Sequence, residues 1–293
     1  MVLPITLLCA NACHADVLRY CDAPAPLTAA QQDKLLRWGA LIKGELENSG
    51  QAVALVSRSG LDLKRFDQRY SHAGVSLKAS ANTAWSVRQL YYACDEQKPR
   101  LYDQGLAGFL LGTHDPAIGY VSVIFLPDTA AQALERAALN NRLGLSLLGT
   151  TYSANAYAFG LQYQNCNQWL IEMLASAWGE WGAAELTRKQ AQAWLKGAGY
   201  QASSFDVSSR VLMWLGSLLP WLHDDDHPSD DLQQQIYRVS MPASIEAFVR
   251  ATVPGATRVE FCHAGSHAVI HRGWDALAQG CRPGEGDTVI ALD

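Results

Sequence analysis

The chain has 293 residues, 49% of them apolar and 17% charged, so it can bury a sizeable core. Its formal net charge of −5 leaves no basic excess to attract a polyanion, which excludes nucleic acid as a partner. One elaborated domain is the expectation, with no internal repeat and no low-complexity tract.

The chain opens on MVLPITLLCANACHAD, an apolar run from Val2 to Leu8 followed by small residues at Cys13 and Ala15. This predicts a signal peptide over residues 1–15 and a mature protein, 16–293, in the periplasm or outside the cell. A lipoprotein box ending at Cys13 fits less well, because Ala10 stands where leucine is usual.

Thr28 and Gln31 have capping-box spacing, and Leu35, Leu36, Ile42 and Leu46 follow before Gly50, which predicts an amphipathic helix. AVALVSR (52–58), HAGVSL (72–77) and AWSVRQLYY (84–92) read as successive antiparallel strands, and GYVSVIFLP (119–127) as another. A helix is expected from Thr129. The Gly, Ser, Asn and Tyr of residues 147–164 predict an ordered loop that ends at Cys166. Beyond it, Cys166, Trp169, Leu170, Met173, Leu174 and Ala177 fall on one helical face, with the thiol at the helix start and directed to the core.

Thr187 and Gln190 form a second capping box, opening a helix towards Gly197. VLMWLGSLLPWL (211–222) is too short to span a bilayer and is expected to be a buried helix, with membrane-surface contact as the competing reading. HDDDHPSDD (223–231) reads as a solvated acidic loop, since it lacks the glycine and terminal glutamate of a calcium loop. A strand at QIYRVS, a helix from Pro242 and a hairpin over RVEFCHAGSHAVIHRG that turns near Gly265 complete the chain.

If Cys9 and Cys13 leave with the signal peptide, five cysteines remain. An exported protein usually pairs its cysteines, and sequence proximity suggests Cys262 with Cys281 and Cys21 with Cys94. Other pairings of the five stay open. The suggested one leaves Cys166 outside the bridges.

A thiolate, not a thiol, is the nucleophile, and the positive end of a helix dipole or a neighbouring imidazolium lowers a cysteine's pKa. Cys166 has the first by position. His72 offers an imidazole on a strand whose same face carries only Gly74 and Ser76. Against this stands the ordinary packing role of a cysteine on an apolar helix. His263, His267 and His271 beside Cys262 suggest a metal site, but in a hairpin they fall on both arms, and no CxxC or HExxH is present. No metal or cofactor is therefore expected.

SHAGVSL and YQNCNQWLIEML resemble the histidine strand and cysteine helix of the circularly permuted NlpC/P60 papain-like superfamily, in which the histidine precedes the cysteine. RYSHAGVSL, WSVRQLYYACDE, LYDQGLAGF and YSANAYAF resemble the bacterial family DUF2145, over most of the mature chain. The superfamily resemblance implies an α+β fold, an antiparallel sheet packed against the cysteine helix. It spans a catalytic core of about residues 50–180 and leaves 181–293 as a C-terminal elaboration with extra helices and a β-hairpin.

It also implies a thiol hydrolase or acyltransferase acting on an amide or ester, with a cell-wall peptide or a lipid-linked acyl group as substrate in the cell envelope. Cys166 would be the nucleophile and His72 the base. Gln89 would be the orienting residue, in place of the superfamily's usual acidic or histidine side chain. Tyr152 and Gln164 are candidates for oxyanion or substrate contact, Asn165 is expected to cap the helix, and Asn167 and Gln168 to be exposed amides. A second reading is a catalytically silent envelope module that keeps the scaffold for binding. A third is a lipid-interacting acyltransferase with residues 211–222 as the acyl-binding or membrane-facing wall.

Overall fold

The computed structural model describes residues 27–113, 115–181 and 186–292, so the expected signal peptide and Cys21 lie outside the described residues. Helix α1 (Ala29–Asn48) starts on the anticipated capping box of Thr28 and Gln31. β1 (Val53–Arg58), β2 (His72–Leu77), β3 (Ser86–Ala93) and β4 (Lys98–Gln104) then form an antiparallel run. Next come α2 (Leu106–Leu111), β5 (Ile118–Phe125), α3 (Asp128–Leu139), α4 (Asn141–Ser146), α5 (Cys166–Trp178) and α6 (Arg188–Gly197). The remainder is β6 (Ser203–Asp206), α7 (Arg210–Gly216), α8 (Ser229–Gln233), β7 (Ile236–Val239), α9 (Pro242–Thr252), β8 (Thr257–Ala264), β9 (His267–Arg272) and β10 (Thr288–Ala291).

Eight strands form one antiparallel sheet in the order β10-β9-β8-β5-β1-β2-β3-β4, and β6 pairs with β7 in a separate ribbon. The fold is α+β. The expected C-terminal hairpin, β8–β9, does not hang off the core. β8 pairs with β5 along its whole length, so residues 257–291 extend the central sheet.

Strand alternation divides the apolar residues between two cores. Val53, Leu55, Ala73, Val75, Leu77, Leu90 and Ile124 point to one side, where α3, α5, α6 and α9 cover them. Ala54, Val56, Trp85, Val87, Val121 and Val123 point to the other, under α1 and α2. Both faces of β1 are thus buried, which is why VALVSR lacks the polar alternation of a half-exposed strand. Helix α5 is more enclosed than a one-faced pattern predicts, with every residue from Cys166 to Ser176 buried.

Two expectations fail. The segment around α7 is not a buried helix: Val211 is 65% exposed, Trp214 62% and Leu218 64%, and only Met213 of the helix is buried. α7 lies off the main sheet, and a peripheral helix with apolar residues all round its axis can cover only one of its sides. Nor is 223–231 a solvated loop. Asp226 accepts the Tyr157 amide at 3.0 Å, Asp231 pairs with Arg238 at 3.0 Å, and His227 Nε2 meets the Asn155 carbonyl at 2.7 Å. Asp226 and His227 thereby satisfy backbone groups of the irregular 147–164 loop that no ladder can reach, and Asp231 ties α8 to β7.

Candidate active site

The loop ahead of Cys166 is fixed by buried polar groups. Glu172, fully buried on α5, accepts from Arg188 Nε at 2.9 Å, Gln164 Nε2 at 2.6 Å and Gln192 Nε2 at 2.7 Å. Burial raises the Glu172 carboxyl, opposed by the Arg188 charge and these hydrogen bonds. Arg188 also donates to the carbonyls of Gly160, Leu161 and Tyr163, so one ion pair joins α5, α6 and the loop.

Asn165 caps α5, its side-chain oxygen accepting from the Gln168 amide at 2.7 Å while its Nδ2 reaches the carbonyls of Ala154 and Ser240. Cys166 therefore occupies the first helical position, where unpaired amides and the dipole favour negative charge. It is 7% exposed and is a thiol rather than half of a disulfide.

Asn167 and Gln168 are buried, not exposed as expected. Gln168 Nε2 is surrounded by the carbonyls of Tyr157, Ala158 and Gly160. Asn167 Nδ2 donates at 3.2 Å to the carbonyl of Ser71, the residue before His72. The first turn of the cysteine helix is thereby tied to the start of the histidine strand.

His72 opens β2 opposite Arg58 of β1. Its Nε2 is hydrogen-bonded to Gln89 Oε1, and Gln89 Nε2 in turn donates to Gln104 Oε1 at 2.6 Å. With the amide nitrogen of Gln89 committed to Gln104, its oxygen accepts, and the imidazole carries its proton on Nε2 and its lone pair on Nδ1. Burial, reinforced by the Arg58 charge and partly offset by the Gln89 bond, lowers the His72 pKa from 6.5 to about 3. The imidazole is neutral at physiological pH.

Cys166, His72, Tyr152, Arg58, Ser71 and Tyr92 line one cavity of about 50 Å³ at the end of the sheet, with room for a few water-sized groups. Tyr152 stacks on Tyr92 across it, ring centroids 4.8 Å apart. The structure thus brings Cys166, His72 and Tyr152 to a common space, with Gln89 one bond behind the histidine.

Within that space the two reactive side chains belong to different layers. Alternation along β2 and β3 sets the His72 ring and Gln89 on the α1–α2 face, 5.8 Å from Phe109, whereas Cys166 packs with Ala73 and Leu90 on the α5 face. Gln164 is not part of the cavity lining. Its amide accepts from Gly149 N and donates to Leu147 O and Glu172, which leaves no donor for a substrate and makes it a brace of the loop.

Arg58 and Asn167 are site residues that the sequence reading missed. The signal for Arg58 was a charged residue closing a strand buried on both faces.

Cys262 and Cys281 are bridged, Cα atoms 5.6 Å apart. Cys94 is also disulfide-bonded, and Cys21, its suggested partner, lies outside the described residues. The three C-terminal histidines go separate ways. His263 is buried against Trp38 at 4.5 Å, His267 meets the Cys281 carbonyl, and His271 pairs with Asp287 at 2.7 Å. Among the described residues no group of three or more His, Cys, Asp or Glu could hold a metal ion, and no helix is long and apolar enough to cross a membrane.

Residues 45–249 match a family described as an uncharacterized protein conserved in bacteria, DUF2145. No curated protein and no solved structure matches the chain.

Proposed function

The chain belongs to the DUF2145 family, and on that premise we propose an exported thiol hydrolase or acyltransferase with Cys166 as nucleophile and His72 as base, on a permuted papain-like scaffold. The observation that carries this reading is the shared cavity: a thiol at a helix N-terminus and an imidazole, both at its wall.

The neutral His72 shapes the mechanism. No imidazolium is present to hold a resting thiolate, so the proton leaves Cys166 for the imidazole lone pair as sulfur attacks the carbonyl carbon. The S–C bond forms and the C–N or C–O bond breaks. The proton passes from His72 to the departing amine or alcohol, and water or another acceptor then resolves the acyl-enzyme. The Cys166 amide and the Tyr152 hydroxyl are the donors offered to the developing oxyanion.

A cell-wall peptide and a lipid-linked acyl group are the two substrate classes. The exposed apolar residues of α7 support the second, because Trp221 joins this segment to the cavity wall. Its carbonyl accepts the Ala154 amide at 2.8 Å, two residues from Tyr152.

An activated acyl ester tests the reading. The wild-type protein should release a stoichiometric burst of leaving group and carry the acyl group on Cys166. Cys166→Ala should abolish the burst, and His72→Ala should slow it by roughly 10²–10⁴-fold. A burst undiminished in Cys166→Ala would refute the proposal. Amine release from purified peptidoglycan, set against acyl transfer from phospholipid, then separates the two classes.

One observation favours the silent envelope module instead. The His72 ring is held on the opposite sheet face from α5 by Gln89, beside a cavity with space for only a few waters. That reading predicts no acylation by a well-folded protein, together with retention on peptidoglycan.

A further inference from the structure

We infer that Gln104 is a positioning residue for His72: the way its amide faces decides, through Gln89, which ring nitrogen of the histidine carries the proton. The catalytic consequence rests on the reading of Cys166 and His72 as nucleophile and base.

Strand alternation builds the relay. β3 and β4 pair with Gln89 opposite Tyr102 and Val87 opposite Gln104, so Gln89 and Gln104 are diagonal neighbours on the α1–α2 face. On the other side, Gly74 leaves the room through which Gln89 reaches His72. A β-carbon there would stand 2.6 Å from Val87 Cγ1 and 3.2 Å from Gln89 Cβ. Gly108, in the first turn of α2, likewise leaves space beside Gln104, whose Nε2 a β-carbon would approach to 3.2 Å.

A primary amide accepts at one end and donates at the other. A chain of one imidazole and two amides therefore has two self-consistent polarities. In one, His72 Nε2–H donates to Gln89 Oε1, and Gln89 Nε2 donates to Gln104 Oε1. In the other, both amides are turned: Gln104 donates to Gln89, Gln89 donates to a bare His72 Nε2, and the proton sits on Nδ1. The structure holds the first. Gln89 is 1% exposed, so solvent cannot stand in for a mismatched partner, and its orientation follows that of half-buried Gln104.

Only the first polarity serves the mechanism. Gln89 occupies Nε2 in both, so Nδ1 is the nitrogen left to take the Cys166 proton. It is bare in the first polarity and already protonated in the second. Residue 104 thus sets the base from one strand beyond its orienter.

Gln104→Glu and Gln104→Lys provide the test, because they replace a two-sided group by an acceptor alone and by a donor alone. The tautomer is read from the NMR shifts of the two His72 ring nitrogens in the full chain near neutral pH, where the ring is uncharged. Wild type and Gln104→Glu should carry the proton on Nε2, and Gln104→Lys on Nδ1. In the acyl-ester assay Gln104→Glu should retain the burst, while Gln104→Lys should slow it by roughly 10²–10⁴-fold, the loss expected of a missing general base. A merely structural role for Gln104 predicts an unmoved tautomer and similar losses in both variants.

A proton on Nδ1 in the wild type overturns the inference without any variant. Gln104→Met, which neither donates nor accepts, should populate both tautomers and serves if the lysine variant does not fold. Nε2–H alone in the folded lysine or methionine variant overturns the inference. The expected tautomers with no burst even in the wild type leave the relay standing and overturn Cys166 and His72 as nucleophile and base.

Discussion

Replacing Gln89 by Glu is the most direct probe of how the histidine is governed. In the parent, the His72 Nε2–H meets a neutral amide oxygen, and the imidazole titrates at about 3 instead of 6.5. A carboxylate in the same place favours the imidazolium. Exchanging a neutral hydrogen bond for a charge-assisted one is worth about 1–2 kcal/mol, and the Coulomb attraction at contact reaches about 4 kcal/mol at an effective dielectric constant of 20. At 1.36 kcal/mol per pH unit, the pKa should rise by roughly one to three units. Gln104, whose Oε1 now accepts from Gln89, must turn its amide to donate to the new carboxylate.

The sign on stability follows from linkage. Between pH 6.5 and about 3 the unfolded parent binds a proton that folded His72 refuses, so acid destabilises the folded state across that window. Raising the folded pKa narrows the window and lessens the His72 contribution to acid lability. The assay is an NMR titration of the His72 ring proton in a Cys166→Ser background, so that the thiol does not titrate beside it. An unchanged His72 pKa in Gln89→Glu would show that Gln89 is not its partner, and the account of the tautomer and base would fall.

Asn167→Ala removes the 3.2 Å bond to the Ser71 carbonyl and should cost about 1–2 kcal/mol in urea unfolding. It should also slow acylation by loosening the register between cysteine helix and histidine strand, and an unaltered acylation rate would reduce the bond to a structural one. His263, fully buried and lowered to about 4 by burial first and by Lys34 second, destabilises the fold as pH falls from 6.5 towards 4. His263→Phe should flatten that part of the stability profile, and an identical acid limb would exclude His263 as its source. If lipid is the substrate, binding of the protein to phospholipid vesicles should be lost on combining Trp214→Ser with Leu218→Ser. Equal vesicle binding by the parent and this variant would clear α7 of the role.

The strands and capped helices were readable because their signals are local. Thr28 with Gln31, and Thr187 with Gln190, each satisfy two orphan helix amides reciprocally, and that geometry depends on residues three apart. β4 escaped notice because it is an edge strand. KPRLYDQ has partners on one side only and keeps charged residues and a proline there, which blunts further pairing and erases the apolar alternation. The 211–222 segment misled for the opposite reason. Apolar composition records what a helix could bury, and whether anything stands beside it is settled by the rest of the chain. The acidic 223–231 stretch shows the same limit, since Asp226 finds the Tyr157 amide and His227 the Asn155 carbonyl, each about seventy residues earlier.

The site was legible in part, and what could not be read was charge. Helix-start position and strand order are one-dimensional facts, and they bring Cys166 and His72 to one cavity. The protonation of His72 depends on a neutral amide seventeen residues away, Gln89, and on a cation that register places directly across the strand, Arg58. A carboxylate at position 89 would stabilise an imidazolium and, with it, a resting thiolate. Glutamine keeps the proton on Nε2 but contributes no charge, and Arg58 opposes protonation further. On the proposed reading, His72 therefore rests uncharged beside Cys166.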